Sequence, residues 1–299
     1  MTAQVTLPVP PRRKPYNRDR RRSTLLTVVM WLCVLYFIVP LIWLFVSSTK
    51  DNSDLFTTFG LWFGHDFSLF SNIVDVFTYQ DGIYLRWALN TILYAGASAI
   101  GASLLATMAG YAFAKYQFPG SKVLFSITLG AIMIPLTALA IPTYLLFSSM
   151  GITNTPWAVI LPSLVSPFSV FLMRVYAADA VPDSLIEAAR MDGAGEMRIF
   201  WQVAIRLLGP GIVTVMLFTL VATWNNYFLP LIMLNSGQLL PLTVGLAQQQ
   251  ATSAAGGGAQ ALFSTVITGA FLSIVPLIIA FLYLQRFWQT GLATGGVKG

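Results

Sequence analysis

The chain has 299 residues, 56% of them hydrophobic and only 9% charged. A soluble domain carries about 25% charged residues to keep its surface wet, so lipid is the expected solvent for much of this protein. A single cysteine, Cys33, and a single histidine, His65, exclude a disulfide framework, a Cys- or His-built metal site and a Ser–His triad; no catalytic residue, metal or cofactor is expected.

The net charge is +6, but seven basic residues between Arg12 and Arg22 precede the first apolar run. They read as a topology signal rather than a nucleic-acid arm. Residues 1–23 are thus a basic tail, and 24–299 a single transmembrane domain. About 20 mostly apolar residues cross a bilayer core. Six stretches qualify, at 25–47, 88–114, 123–147, 156–173, 207–234 and 261–284, and none contains Asp, Glu, Lys or Arg. Backbone groups in lipid must be satisfied within the segment, so helices are predicted. The runs lack the alternation of barrel strands.

The first stretch is too long for a signal peptide, and no small-residue cleavage site follows it at Ser47–Asp54. Lys50–Trp87 mixes polar and aromatic residues with five aspartates and is predicted to be a short folded excursion. The second span carries small residues at helical spacing, Ala99, Ala102, Ser103, Ala106, Thr107 and Gly110, which let backbones approach closely in a bundle. Pro135, Pro142, Pro162, Pro167 and Pro230 interrupt spans three to five and are expected to kink them.

Arg174–Arg206 is too polar to span. Ser184-Leu185-Ile186-Glu187 has the spacing of a capping box, and Gly193 is placed to end the following helix in a left-handed turn. Leu185, Ala188, Ala189 and Asp192 share one face, where two alanines would leave a flat patch. A second helix begins near Gly195. The whole is a helix–turn–helix knob at about 180–200, which either lies on the lipid surface or docks into a soluble partner. Asp183, Glu187, Asp192 and Glu196 weigh against anionic lipid. Asn235–Gln260 is uncharged and rich in Gln, Ala and Gly, including Gln248-Gln249-Gln250 and Gly256-Gly257-Gly258; it reads as flexible, either an inert linker or a loop that probes an external partner.

With the N-terminus in the cytoplasm, inside segments hold 15 of the 17 basic residues, and only Lys50 and Arg86 lie outside. Both termini are then cytoplasmic. The chain lacks G-x-x-x-x-G-K-[ST], so it cannot supply an ATP site. It has no ionisable residue inside a span, which argues against an ion-coupled carrier. A neutral pathway suits a neutral solute. Tyr94, Tyr144, Trp224, Asn225, Asn226 and Tyr227 are candidates to line it; the alternative for each is interhelical bonding or interface anchoring.

Glu187-Ala188-Ala189-Arg190-Met191-Asp192-Gly193 resembles the EAA signature of ABC importer permeases, the inner-membrane subunits of binding-protein-dependent uptake systems. Nine residues beyond Gly193, Val203-Ala204-Ile205-Arg206 matches the family's I-x-L-P except that Arg206 replaces the proline; Pro210 follows. Tyr36–Lys50, Asn90, Tyr111-Ala112-Phe113-Ala114, Trp224-Asn225-Asn226 and Pro230-Leu231 resemble the carbohydrate branch, and Gly291–Gly299 resembles the C-terminus of MalG-type permeases.

The resemblance implies the all-α, six-span type I importer fold and a heterodimer with a second permease. It also implies a cytoplasmic ATPase dimer, an extracytoplasmic solute-binding protein and a sugar substrate. Glu187, Ala188, Ala189, Asp192 and Gly193 would form the coupling helix gripped by the ATPase. The loop at 246–255, with Gln248, Gln249 and Gln250, would enter the binding protein, and the C-terminal tail would reach the ATPase. Rival expectations are a glycerol-phosphate, polyol or peptide substrate, a stand-alone carrier, and a membrane-embedded enzyme.

Overall fold

The structure is a computed structural model that describes residues 23–135, 137–255 and 262–295. The basic tail to Arg22, the triple glycine Gly256–Gly258 and the terminal Gly296–Gly299 lie outside the described residues. Among the described residues every regular element is helical: α1 (Thr24–Ser48), α2 (Asn52–Thr57), α3 (Leu69–Thr78), α4 (Ile83–Lys115), α5 (Ser121–Ile132), α6 (Ala140–Ser149), α7 (Trp157–Leu164), α8 (Pro167–Ala180), α9 (Asp183–Met191), α10 (Glu196–Ile199), α11 (Ile205–Leu207), α12 (Gly209–Trp224), α13 (Phe228–Met233), α14 (Leu242–Ala254) and α15 (Phe263–Gly295).

Among the described residues four helical stretches are long and apolar enough to cross a membrane, at 24–48, 69–115, 157–180 and 263–287. A bent pair, Glu196–Leu207 with Gly209–Trp224, makes a fifth if counted as one. The stretch expected at 123–147 is two short helices, α5 and α6. Pro135 lies in the gap; it lacks an N–H and steers Ile134 away from helical dihedrals. The stretches expected at 156–173 and 207–234 are also broken, at Val165-Ser166 and Asn225–Tyr227. The prolines mostly open helices rather than kink them. Pro142 and Pro230 fall in the first turns of α6 and α13, and Pro167 starts α8, positions where a missing N–H costs nothing. Pro162 alone of the five lies late within a helix.

The chain divides into two compact units, Met1–Ile42 and Trp43–Gly299. In the first, α1 exposes apolar side chains all round from Leu25 to Ile42. A helix with no polar face is a membrane element.

In the second unit α4 is the axis, packing most extensively against α8 and α12. Ala99, Ala102, Ser103, Ala106 and Thr107 are buried along it. A Cβ on Gly110 would meet Met173 Cβ at 2.6 Å and the Arg174 nitrogen at 2.7 Å, so α4 and α8 touch backbone to backbone there. The small-residue stripe is bundle packing, worth its dispersion contacts because lipid offers no hydrophobic drive between helices. Two apolar cores lie along α4. One gathers Tyr84, Trp87, Tyr94, Trp224, Met233 and Leu242. The other gathers Tyr111, Met173, Ile186, Ile199, Phe200 and Val215.

Lys50–Trp87 is folded, as expected. Asp51 caps α2 by accepting from the Asp54 nitrogen at 2.7 Å. Asn72 Nδ2 on α3 donates to the Ser48 and Lys50 carbonyls at 2.9 and 2.8 Å, tying α3 to the end of α1. Lys50 is buried, and its ammonium donates to the Phe59 carbonyl at 2.8 Å.

Candidate functional site

The EAA-like residues lie on α9. The expected capping box does not form. Helix α9 starts at Asp183, so Ser184 is already inside it, and Pro182 stands at the cap in extended conformation with no side-chain cap bond. Proline at φ −64° and ψ 136° disengages the chain from α8 and leaves Ser184 no cap to serve. Asp183 supplies negative charge to the helix start instead.

The other end is as predicted. Gly193 has φ +76°, its nitrogen donates to the Arg190 carbonyl, and the Ala194 nitrogen donates to the Ala189 carbonyl, both at 3.0 Å. This pair of bonds is a Schellman closure, which needs a left-handed residue at Gly193.

Ile186 is the anchor of α9: it is buried in the second core beside Ile199 and Phe200. Ala189, three residues on, packs against that core too, so the expected flat patch of two alanines is reduced to Ala188. The outward face carries Leu185, Ala188, Met191 and Asp192, with Met191 88% exposed. Glu187 is exposed, and its carboxylate makes no hydrogen bond among the described residues. An exposed apolar strip edged by free carboxylates is a surface built to be covered.

Charged contacts brace the knob. Lys115 Nζ at the end of α4 donates to Asp183 Oδ1 at 2.8 Å, with the lysine side chain almost fully covered. Arg190 Nε donates to Glu196 Oε1 at 2.7 Å, and Tyr116 Oη donates to Glu196 Oε2 at 2.7 Å. The Arg190 bond, then the Tyr116 bond, hold the Glu196 carboxyl below its usual range, and Glu196 in turn raises Arg190. None of this bracing was foreseen: Lys115 and Tyr116 are 68 and 80 residues from their partners in sequence.

Arg206, in the place of the family proline, lies in α11, just after a π-turn at Phe200–Ala204. The axis then bends by 78° at Leu208 before α12. Pro210 sits in the first turn of α12, so the helix restarts there with a proline in a permitted position.

The glutamine-rich segment corrects its expectation. It is not flexible up to Ala254: Leu242–Ala254 is helix α14, with Leu242, Val244, Gly245, Leu246, Gln249 and Ser253 buried. The uncharged composition that reads as a linker also suits a helix packed among other helices, and α4 supplies the grip. Trp87 Nε1 donates to the Gly237 carbonyl at 2.9 Å, Asn90 Nδ2 to the Gln238 and Leu240 carbonyls at 2.8 and 3.0 Å, and the Leu242 nitrogen to Thr91 Oγ1 at 2.8 Å. Gln248 and Gln250 are exposed. Gln249 points inward, and its Nε2 has no partner among the described residues.

The pathway candidates separate. Tyr94 is buried and donates its hydroxyl to the Leu239 carbonyl at 2.8 Å, and Trp224 is in the first core with Tyr144 packed against it. Asn225, Asn226 and Tyr227 form the break between α12 and α13, where the chain turns out of helix. Asn225 Nδ2 folds back onto the Val221 carbonyl at 2.9 Å, and the Asn226 carbonyl accepts from Thr243 Oγ1 at 2.8 Å, joining the break to α14. Asn225 and Tyr227 are exposed.

Comparison with known proteins places this architecture. Residues 102–289 match the family described as binding-protein-dependent transport system inner membrane component. The chain is 32% identical over 278 residues to an arabinooligosaccharides transport system permease protein of Halalkalibacterium halodurans, covering 93% of this chain and 97% of that one. It is 28% identical to a lactose transport system permease protein of Rhizobium radiobacter, covering 90% and 94%. It is also 32% identical to a maltodextrin transport system permease protein of Bacillus subtilis, covering 74% and 78%. Among solved structures, a chain from a bacterial ABC transporter involved in the import of the acidic polysaccharide alginate superposes with a TM-score of 0.76 at 24% identity, over 88% of this chain and 95% of that one. That likeness is one of fold.

Proposed function

The chain belongs to the binding-protein-dependent transport system inner membrane components, among the permeases of carbohydrate-uptake ABC transporters, and on that premise we propose that it forms half of an ATP-driven path for a di- or oligosaccharide, driven through α9 by a separate cytoplasmic ATPase.

One observation carries this reading: α9 projects an exposed face of Leu185, Ala188, Met191 and Asp192 beside an unbonded Glu187, while Ile186 and the Gly193 turn hold it rigidly to the bundle. A helix docked in a groove transmits force only if its own base does not yield. ATP-driven closure of the ATPase dimer would rock this chain against a second permease and open the path outward. The exposed Asn225 amide and Tyr227 ring have the hydrogen-bonding and stacking character that sugars require, and the names of the relatives favour a saccharide over a glycerol phosphate or a polyol. The chain itself is a non-catalytic subunit.

The topology belongs to the same reading. Helices α5 and α6 together make the third of six crossings, with the Pro135 gap inside the membrane region. The basic-residue asymmetry places both termini and α9 in the cytoplasm and Lys50–Trp87 and α14 outside. Cys33 is the sole thiol, so a Cys33→Ser background allows single cysteines at positions 188 and 66 to be labelled from either side. Labelling of position 188 from outside would sink the proposal.

Reconstitution tests the function. Vesicles holding this chain, its partner permease, the ATPase and the binding protein should accumulate labelled arabinotriose, maltotriose or lactose on addition of ATP, and omission of the ATPase should abolish uptake. Flux from this chain alone would mean a stand-alone carrier and overturn the assignment.

A further inference from the structure

The docking helix is joined covalently to α8 on one side, through Val181-Pro182, and to α10 on the other, through the Gly193 turn. Neither link continues in the chain into α4, although Val181 packs in the same core as Ala106 and Tyr111 of that helix. Yet α4, 33 residues and about 50 Å long at 1.5 Å per residue, is the element that meets both ends of the machine. At one end Lys115 and Tyr116 contact Asp183 and Glu196. At the other, Trp87, Asn90 and Thr91 hold the strand of chain that leads into α14.

We propose that Glu196 is a positioning residue that locks the docking helix to the end of α4, so that displacement of α9 is passed along α4 to the segment leading into α14. This rests on the reading of α9 as the ATPase handle.

The geometry suits a rigid joint. The two carboxylate oxygens of Glu196 are used separately, Oε1 by Arg190 from α9 and Oε2 by Tyr116 from the end of α4, each at 2.7 Å. A single planar group thus bridges the two elements across the Gly193 turn. Charge-assisted bonds of this length are the stronger kind and hold direction as well as distance. The rings behind it are packed: Tyr116 meets Tyr111 edge-on at 5.6 Å, and Tyr111 meets Phe200 at 5.3 Å. Lys115–Asp183 supplies a second tie to the first turn of α9, so the helix is held at both ends. One tie would be a pivot; two oppose rotation.

The test uses the complete complex, with the ATPase, second permease and binding protein, and arabinotriose, maltotriose and lactose as probes. Tyr116→Phe removes one hydroxyl and keeps the ring, and Glu196→Gln keeps the shape and removes the charge. Both should retain the ATPase through purification and lose saccharide- and binding-protein-stimulated hydrolysis relative to basal hydrolysis by about fivefold or more, the scale of an allosteric coupling. The exchange Arg190→Glu with Glu196→Arg should recover part of the ratio by restoring an ion pair in reverse. A merely structural role would lower assembly or basal turnover and leave the ratio alone. An unchanged ratio in Tyr116→Phe and Glu196→Gln, with the ATPase bound, overturns the joint but not the handle. An ATPase that never associates with the native chain overturns the handle itself.

Discussion

Gly245 of α14 lies flat against the indole of Trp87 on α4, so close that a Cβ on the glycine would overlap the ring carbons. The same indole donates its Nε1 hydrogen to the Gly237 carbonyl at 2.9 Å. One side chain of α4 thereby sets both the start of this segment and the approach of its helix.

The first prediction follows from that contact. Gly245→Ala forces either the indole or α14 to move, and overpacking of this kind costs about 1–3 kcal/mol. The purified complex should melt at a lower temperature, and Trp87→Ala combined with Gly245→Ala should lose less than the two single changes added together, because the cavity accepts the methyl. Strict additivity in a double-mutant cycle would contradict the contact.

The Gly193 turn gives a graded pair. A Cβ there meets nothing within 4 Å, so Gly193→Ala faces only the left-handed backbone at φ +76°, about 1–2 kcal/mol for an L-residue. Uptake should persist at reduced rate. Gly193→Pro can adopt neither that φ nor the N–H bond to Arg190; it should reach the membrane in normal amounts and abolish ATP-driven uptake. Normal uptake by the proline variant would remove α9 from the mechanism.

Met191 was not among the residues expected to dock, yet it is the most exposed large apolar side chain of α9. Met191→Glu should leave expression and thermal stability unchanged and weaken ATPase association about tenfold, equivalent to about 1.4 kcal/mol. Titration of the ATPase onto the detergent-solubilised permease pair measures this directly. Equal affinity for the variant would mean that the partner meets a different face.

A pH prediction comes from Asp54 and His65, the only histidine. His65 Nδ1 and Asp54 Oδ1 are 2.7 Å apart, and the His65 backbone nitrogen also donates to Asp54 at 2.7 Å. The imidazole bond pulls the Asp54 carboxyl below its ordinary 3.8, and the same bond raises His65 above its ordinary 6.5. The signs differ for the two groups. The histidine contribution is complete below 6.5 and fades as pH rises through the raised value. The aspartate contribution is complete above 3.8 and fades as pH falls through the lowered one. The loss of thermal stability on His65→Ala should therefore be larger at pH 5.5 than at pH 9. In a histidine-labelled sample the single imidazole should titrate above 6.5 and move down in Asp54→Asn. An imidazole that titrates at its ordinary value would show that the pair does not persist in solution.

Much of this molecule was legible in one dimension. Bilayer thickness converts a run of apolar residues into a crossing, so α1, α4 and α15 emerge close to where hydropathy places them, and the small-residue stripe of α4 announces a close-packed neighbour. Gly193 was readable because a left-handed turn has few chemical solutions; Glu187-Ala188-Ala189 stood out through its resemblance to the EAA signature. Composition was blind where packing decides. The segment 242–254 looks like a linker because Gln, Ala and Ser carry no periodic signal; it is a helix whose start is held by Thr91 at the Leu242 nitrogen and whose Gly245 packs on Trp87, while Asn90 ties down the chain just before it. The Ser184 capping box failed because Pro182, fixed in extended geometry, had already set where α9 begins. The bridge from Arg190 through Glu196 to Tyr116 closes a gap of 80 residues between Tyr116 and Glu196, and no local rule couples those two. Solvent and chain stiffness are local constraints and act on the sequence itself; which side chains meet across the bundle depends on how the helices cross, and only the tertiary structure decides that.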